Sequence, residues 1–327
     1  MIQNIKQYTI AAIVLHICFF CPMQAQSLHE SEITVSLGAG SSALKYQLEQ
    51  ENSKSGFGGA LGVDYSRYFN RMIGVSIGLE AAMFSGSVDM KTISLEQQIQ
   101  TPPGLQGRFL LRANYEGFTE KQSAVLLQIP VMLRFRYPVN EKNSVFLGTG
   151  IKAGFPASSK WNQNMDKLTT TGYSEYTAQT YSGMPNHGFS TYSGLSASGK
   201  LELKSPIFFA LEGGMKFAID EGKSLYAGVF LDYGLNSIHK TPANSSMLEY
   251  NNTSPADYIH NSVLSTNQFS VPNGIKPFAV GIKIKIGIGS GKTFEPASPK
   301  EKKQKLEPAK RESQPKPVKP EPVWGDG

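Results

Sequence analysis

The chain predicts an all-β fold: an eight-stranded antiparallel up-and-down transmembrane β-barrel with a disordered Pro/Lys-rich C-terminal tail. Three observations predict it. Eight stretches alternate large apolar with polar or small residues at period two, and the gaps between them alternate short and long. No stretch after the N-terminus supplies the ~18 consecutive apolar residues of a spanning helix. Strand side chains point alternately to opposite faces, so a barrel wall of this kind turns one set to lipid and the other to a polar interior.

The first residues read as a secretion signal over 1–25. Lys6 gives a positive start, Thr9 to Phe20 an apolar core, and Met23-Gln24-Ala25 a cleavage site before Gln26. Both cysteines, Cys18 and Cys21, fall inside it. The mature chain then has no thiol, which excludes disulfides, thiolate metal sites and cysteine nucleophiles. The barrel is expected over 26–289. Its abundant glycine (32 residues) suits a cramped interior, and a mean hydropathy of −0.25 fits strands that are only half apolar.

The first strand sets Ile33, Val35, Leu37 and Ala39 against Thr34, Ser36, Gly38 and Gly40. The second, from about Phe57 to Phe69, sets Leu61, Val63 and Tyr65 against Gly62, Asp64 and Ser66. Asn70-Arg71 reads as a two-residue hairpin turn. The third sets Ile73, Val75, Ile77 and Leu79 against Gly74, Ser76, Gly78 and Glu80. The fourth carries Val125 to Tyr137 at odd positions, with Gln128, Met132, Arg134 and Arg136 opposite.

After the turn at 138–143, the fifth alternates Val145, Leu147, Ile151 and Phe155 with Gly148, Gly150, Lys152 and Gly154. The sixth sets Phe209, Leu211, Met215 and Phe217 against Ala210, Glu212, Gly214 and Lys216. Asp220 to Lys223 turns it into the seventh, with Leu225, Val229, Leu231 and Tyr233 against Gly228, Asp232 and Gly234. The eighth is the cleanest: Phe278, Val280, Ile282, Ile284, Ile286 and Ile288 against Gly281, Lys283, Lys285 and Gly287. Long loops are expected over 46–56, 85–122, 156–204 and 236–275, on the external side.

The second face carries Asp64, Glu80, Arg134, Arg136, Lys152, Glu212, Lys216, Asp232, Lys283 and Lys285. A soluble barrel of lipocalin type would bury the apolar set instead. Ten charges facing solvent-free protein must be paired, and in a narrow eight-stranded barrel they fill the interior as a salt-bridge plug. The wall must also close, because an open edge in hydrocarbon strands its backbone groups.

Leu127-Gln128-Ile129-Pro130-Val131, followed by Arg134-Phe135-Arg136, resembles the L-x-I-P strand of outer-membrane β-barrel proteins of Bacteroidetes, the PorT-like proteins and OmpA-like barrel domains. Gly281 to Ile286 resembles part of the C-terminal signal read by barrel-assembly machinery. The resemblance implies the outer membrane of a Gram-negative bacterium; the short turns and the even strand number put both termini on the periplasmic side. The partners that the resemblance implies are outer-membrane lipid and the assembly machinery during biogenesis. It leaves open a structural or surface role, an accessory role in a secretion or envelope-assembly machine, and a small porin-like channel. Pro130 removes a ladder donor, so a bulge or bend is expected there.

Residues 291–327 hold seven prolines, nine Lys/Arg and six Asp/Glu. This composition favours an extended periplasmic tail over 290–327, with a periplasmic protein or peptidoglycan as its candidate partner. The net charge of +6 is modest and partly in the tail, so no nucleic-acid partner is expected. Gly287 to Thr293 imitates a phosphate-binding loop but has Ile286 where glycine is needed and Phe294-Glu295-Pro296 where a helix must start. The mature histidines His29, His187, His239 and His260 lie outside the strands. Asp257 with His260, or His239, are candidates for a catalytic rim pair. Their spacing fits no zinc motif. The expected protein is non-enzymatic, without cofactor or metal.

Overall fold

The computed structural model describes residues 30–48, 53–102, 104–240, 246–269, 271 and 274–289. The signal segment 1–25 and the tail 290–327 lie outside the described residues.

Among the described residues twelve strands follow one another: β1 (Glu30–Lys45), β2 (Lys54–Tyr68), β3 (Ile73–Ile99), β4 (Phe109–Pro138), β5 (Asn143–Ser174), β6 (Gln179–Tyr181), β7 (Thr191–Lys200), β8 (Ile207–Asp220), β9 (Lys223–Gly234), β10 (Leu248–Glu249), β11 (Ile259–His260) and β12 (Lys276–Gly289). Eight of them form a closed antiparallel ring in the order β1-β2-β3-β4-β5-β8-β9-β12. The ring shuts where β1 meets β12, from Glu32 opposite Gly289 to Lys45 opposite Lys276. Closure leaves no edge at this level, as the period-two pattern requires.

One end of the ring carries tight turns. Asn70 Oδ1 accepts the amides of Met72 (2.8 Å) and Ile73 (2.7 Å), and Asn140 Oδ1 repeats this with Lys142 (3.0 Å) and Asn143 (2.8 Å). The predicted two-residue turn at Asn70-Arg71 is thus a four-residue turn spanning 69–72, closed by the asparagine side chain.

The other end is where expectation and structure part. The spans 85–122 and 156–204 are largely strand, not loop. β3, β4 and β5 are 27, 30 and 32 residues long and run far past the ring, and β7 pairs with the extension of β5. The physical reason is a change of solvent along each strand. Through the ring, β4 points Val125, Leu127, Ile129 and Val131 outward; beyond it the outward positions are Ser123, Lys121 and Thr119, while Phe118, Tyr115, Leu111 and Phe109 point inward. The alternation persists, but its apolar phase changes sides.

The pleat itself flips at one row. Inward positions step by three at Met90 to Ile93, Tyr115 to Phe118, Met165 to Leu168 and Tyr192 to Leu195. Between them lie Lys91, Gly117, Asp166 and Gly194, and the pairings skip this row in all three ladders. Gly117 (φ 64°) and Gly194 (φ 62°) take the left-handed backbone this demands. A Cβ on Gly117 would run into the Asp166 carboxylate.

Pro130 is milder than predicted. The β3–β4 pairing lapses at Gly78-Leu79 opposite Ile129-Pro130 but resumes in the same register. The register shift in β4–β5 lies instead between Val125 and Leu126, where β5 accommodates Ala157 as an extra residue.

Candidate functional site

Inside the ring all ten charged residues predicted to face inward are buried. β1 adds Glu30 and Glu32, so the interior holds six acids (Glu30, Glu32, Asp64, Glu80, Glu212, Asp232) and six bases (Arg134, Arg136, Lys152, Lys216, Lys283, Lys285). Alternation along eight strands puts them on one face, and narrow closure brings that face together across the axis.

They form two groups. Near the turns, Arg136 binds Glu30 with both guanidinium arms, at 2.9 and 2.6 Å, and lies 4.3 Å over the Tyr68 ring. Lys216 reaches Glu32 Oε2 at 3.2 Å, and Tyr226 donates to the same oxygen. Deeper, Glu80 accepts Lys152 (2.6 Å) on one oxygen and Lys283 (2.7 Å) on the other. Lys152 continues to Asp232 at 2.8 Å, and Lys283 passes 4.0 Å from Glu212. Glu212 in turn takes Lys285 at 2.5 Å and Arg134, while Arg134 and Lys285 both approach Asp64, at 3.8 and 3.9 Å. Charge balance and continuity are what burial of so many ions requires.

Opposite Glu80, Gln128 is buried, and among the described residues neither of its amide atoms has a hydrogen-bond partner. Next comes an apolar layer in which Phe84 stacks on Phe208 at 5.5 Å, with Leu126, Phe230 and Ala279 around it. The void lined by Gly58, Phe84, Phe230 and Asp232 is about 10 Å³, at the lower limit for one water.

The strand extensions enclose a second chamber, filled by the segment between β9 and β12. Ile238, Met247, Leu248, Val263 and Leu264 pack there against Phe118, Trp161, Met165 and Leu168. Glu120 fastens this filling. Its carboxylate accepts Gln122 Nε2 (2.8 Å), Gln163 Nε2 (2.7 Å), Ser262 Oγ (2.5 Å) and the Val263 amide (2.9 Å). Burial in this chamber holds the Glu120 carboxyl above the ordinary carboxylate value.

The candidate rim pairs do not assemble. Asp257 takes its bond from Ser254 Oγ at 2.6 Å, His239 Nε2 meets the Leu264 carbonyl at 2.9 Å, and His260 Nδ1 is buried with no hydrogen-bond partner among the described residues. His187 lies in the short 3-10 helix Pro185–His187. His29 is outside the described residues.

Sequence reasoning missed Glu30, Glu32, Tyr226 and Glu120. The first two were within reach: stepping back by two from Thr34 on the inward face of strand one gives Glu32 and then Glu30. Glu120 carried no such signal, because it sits in a stretch read as loop.

Solved structures similar to the chain include Ail, the attachment invasion locus protein of Yersinia pestis, in complex with the heparin analogue sucrose octasulfate. That match has 14% identity and a TM-score of 0.26, and covers 81% of this chain and 100% of that one. Neisserial surface protein A is 9% identical with a TM-score of 0.28, covering 82% and 98%. The outer membrane protein OprG from Pseudomonas aeruginosa is 13% identical with a TM-score of 0.30, covering 81% and 97%. No protein-family model and no curated protein matches the chain. At these scores nothing is carried over from the three structures. The fold class rests on the chain's own closed ladder.

Proposed function

We propose that the chain is an integral outer-membrane barrel protein without enzymatic activity, a sealed anchor that holds a β-walled platform outside the cell. One observation carries this reading. Every ring strand turns a large apolar side chain to the outside: Leu37, Leu61, Leu79, Leu127, Ile151, Ile207, Val229 and Ile282 are each 48–69% exposed. Monomeric soluble proteins rarely expose contiguous apolar patches beyond a few hundred Å². Hydrocarbon is the solvent that accepts such a belt, and a closed ring is the sheet that hydrocarbon accepts.

The paired charges, the apolar layer and the filled chamber lie in series along the axis, which supports a non-conducting barrel over a porin-like one. In planar bilayers the purified protein inserts without steady conductance; an ohmic step of constant size contradicts the sealed reading. The strand extensions are assigned to the outside and both termini to the periplasm, following the rule of short periplasmic turns. An impermeant thiol reagent on intact cells labels a cysteine at Ser182 and spares one at Ser313; the reverse pattern inverts the topology.

The Leu127 to Pro130 strand favours a second reading, an accessory of a secretion or envelope-assembly machine in the manner of PorT-like proteins. Crosslinking from Ser313 then captures one defined periplasmic partner, and removal of 290–327 blocks export of its cargo.

A further inference from the structure

Three lysines stand together on the outer wall just beyond the apolar belt. Lys160 on β5 is paired directly with Lys200 on β7, and on its other side with Ser123 on β4. Lys121, two residues along the same face of β4, is opposite Asn162. Lys204 follows four residues after Lys200, and all four side chains are exposed.

Directly opposed like charges destabilise an antiparallel pair, and among the described residues none of the four makes an ion pair. Neighbouring exposed cations behave differently: Lys54 binds Asp89, Arg112 binds Glu96 and Lys167 binds Glu116, each at 2.7–2.9 Å. The acids close to the group are therefore occupied, Asp89 by Lys54 and Glu202, between Lys200 and Lys204, by Lys240. Asp89, which also feels Lys121, and Glu202 are outnumbered by the lysines around them, so a net positive field is left at one level of the wall. That level is where the outward positions change from Val125 and Phe155 to Ser123 and Lys160.

We propose that Lys121, Lys160 and Lys200, flanked by Lys204, bind the phosphate-bearing headgroup of a lipid whose acyl chains lie on Val125, Leu127, Phe155 and Ile207 below. The apolar wall ends at Val125 and Phe155, and only Ser123 and Ser158 separate it from the lysines, so one amphiphile spans both. Lysine ammoniums are compact charges with three donors each, suited to the oxygens of a phosphate monoester. The proposal rests on the membrane reading of the belt.

The test uses the full chain with vesicles of phosphatidylcholine containing a small fraction of diphosphoryl lipid A. Flotation with phosphatidylcholine alone reports the membrane reading, and lipid A retained through purification reports the patch. Retention is expected for the unaltered chain and not for dephosphorylated lipid A. Loss of about 1 kcal/mol per lysine near a surface, fivefold each, predicts about 25-fold weaker retention for Lys160→Gln with Lys200→Gln. Lys142→Gln with Lys223→Gln, at the turn end, keeps full retention, and Lys160→Arg with Lys200→Arg restores it. Undiminished retention by the glutamine pair, equal loss in the turn-end pair, or preference for a soluble polysulfate over lipid A overturns the proposal. A chain that floats but retains no lipid A defeats the patch alone; one that fails to float defeats the membrane reading as well.

Discussion

The lower and upper halves of β4 obey one geometry under two solvents. From Val125 to Tyr137 the outward residues are apolar and the inward ones include Gln128, Arg134 and Arg136; from Phe109 to Ala124 the outward residues include Arg112, Asn114, Glu116 and Lys121, and the inward ones, Glu120 and Gln122 apart, are aromatic or aliphatic. β3 and β5 make the same exchange. The comparison teaches that period two fixes which residues share a face, while the surroundings decide which face is greasy. The ring spends its inward face on ion pairs, and the upper chamber spends its inward face on a conventional core.

The largest break in this contrast is Glu80→Ala. It strands the ammoniums of Lys152 and Lys283 inside the ring and should cost about 3–5 kcal/mol. Folding titrations in lipid vesicles read this loss directly, and double substitution with Lys283→Met should recover part of it. Next, Ile282→Arg puts a charge on the outward belt and should cost about 2–4 kcal/mol, whereas Asn164→Arg on the outward face of the upper wall should stay within about 0.5 kcal/mol. Equal effects at the two positions would erase the distinction between the halves.

The pleat flip gives a smaller, local effect. Gly117→Ala forces a side chain into left-handed backbone against Asp166 and should cost about 1–3 kcal/mol. The loss should appear as proteolytic opening of the upper wall, with the thermal unfolding of the ring unchanged.

The smallest effect is a pH dependence of the chamber. Because Glu120 holds its proton more tightly in the folded chamber than in an open chain, its contribution is complete below the unfolded carboxylate value and is lost as pH rises through the folded one. Hydrogen-exchange protection of residues 261–264, corrected for intrinsic rates, should fall over that window. Glu120→Gln should flatten the fall.

The ring was legible because its signals were redundant. Eight alternating runs, three tight turns and charges at matched depths all agree, and Ile282 to Ile288 alone nearly defines a wall strand. The upper wall was not legible for two physical reasons. Its exposed face is rich in Ser, Thr and Asn, the composition of a hydrated loop; Thr169-Thr170-Thr171 lies in β5, with Thr170 buried and donating to the Gly188 carbonyl at 2.5 Å. The flip at Lys91, Gly117, Asp166 and Gly194 then resets the phase, so a period counted across it cancels. Of the interior network, ten members followed from alternation; Glu30 and Glu32 were lost by starting the first strand at Ile33, three residues late.

The account depends most on a change of solvent between two outward positions of one strand. Single cysteines at Lys121, Ser123, Val125, Leu127 and Ile129, in a chain lacking Cys18 and Cys21, can carry nitroxide labels in reconstituted vesicles. Their collision rates with oxygen and with a polar nickel chelate should reverse between Ser123 and Val125, the chelate dominating above and oxygen below. Uniform access of the chelate to all five positions would contradict the account.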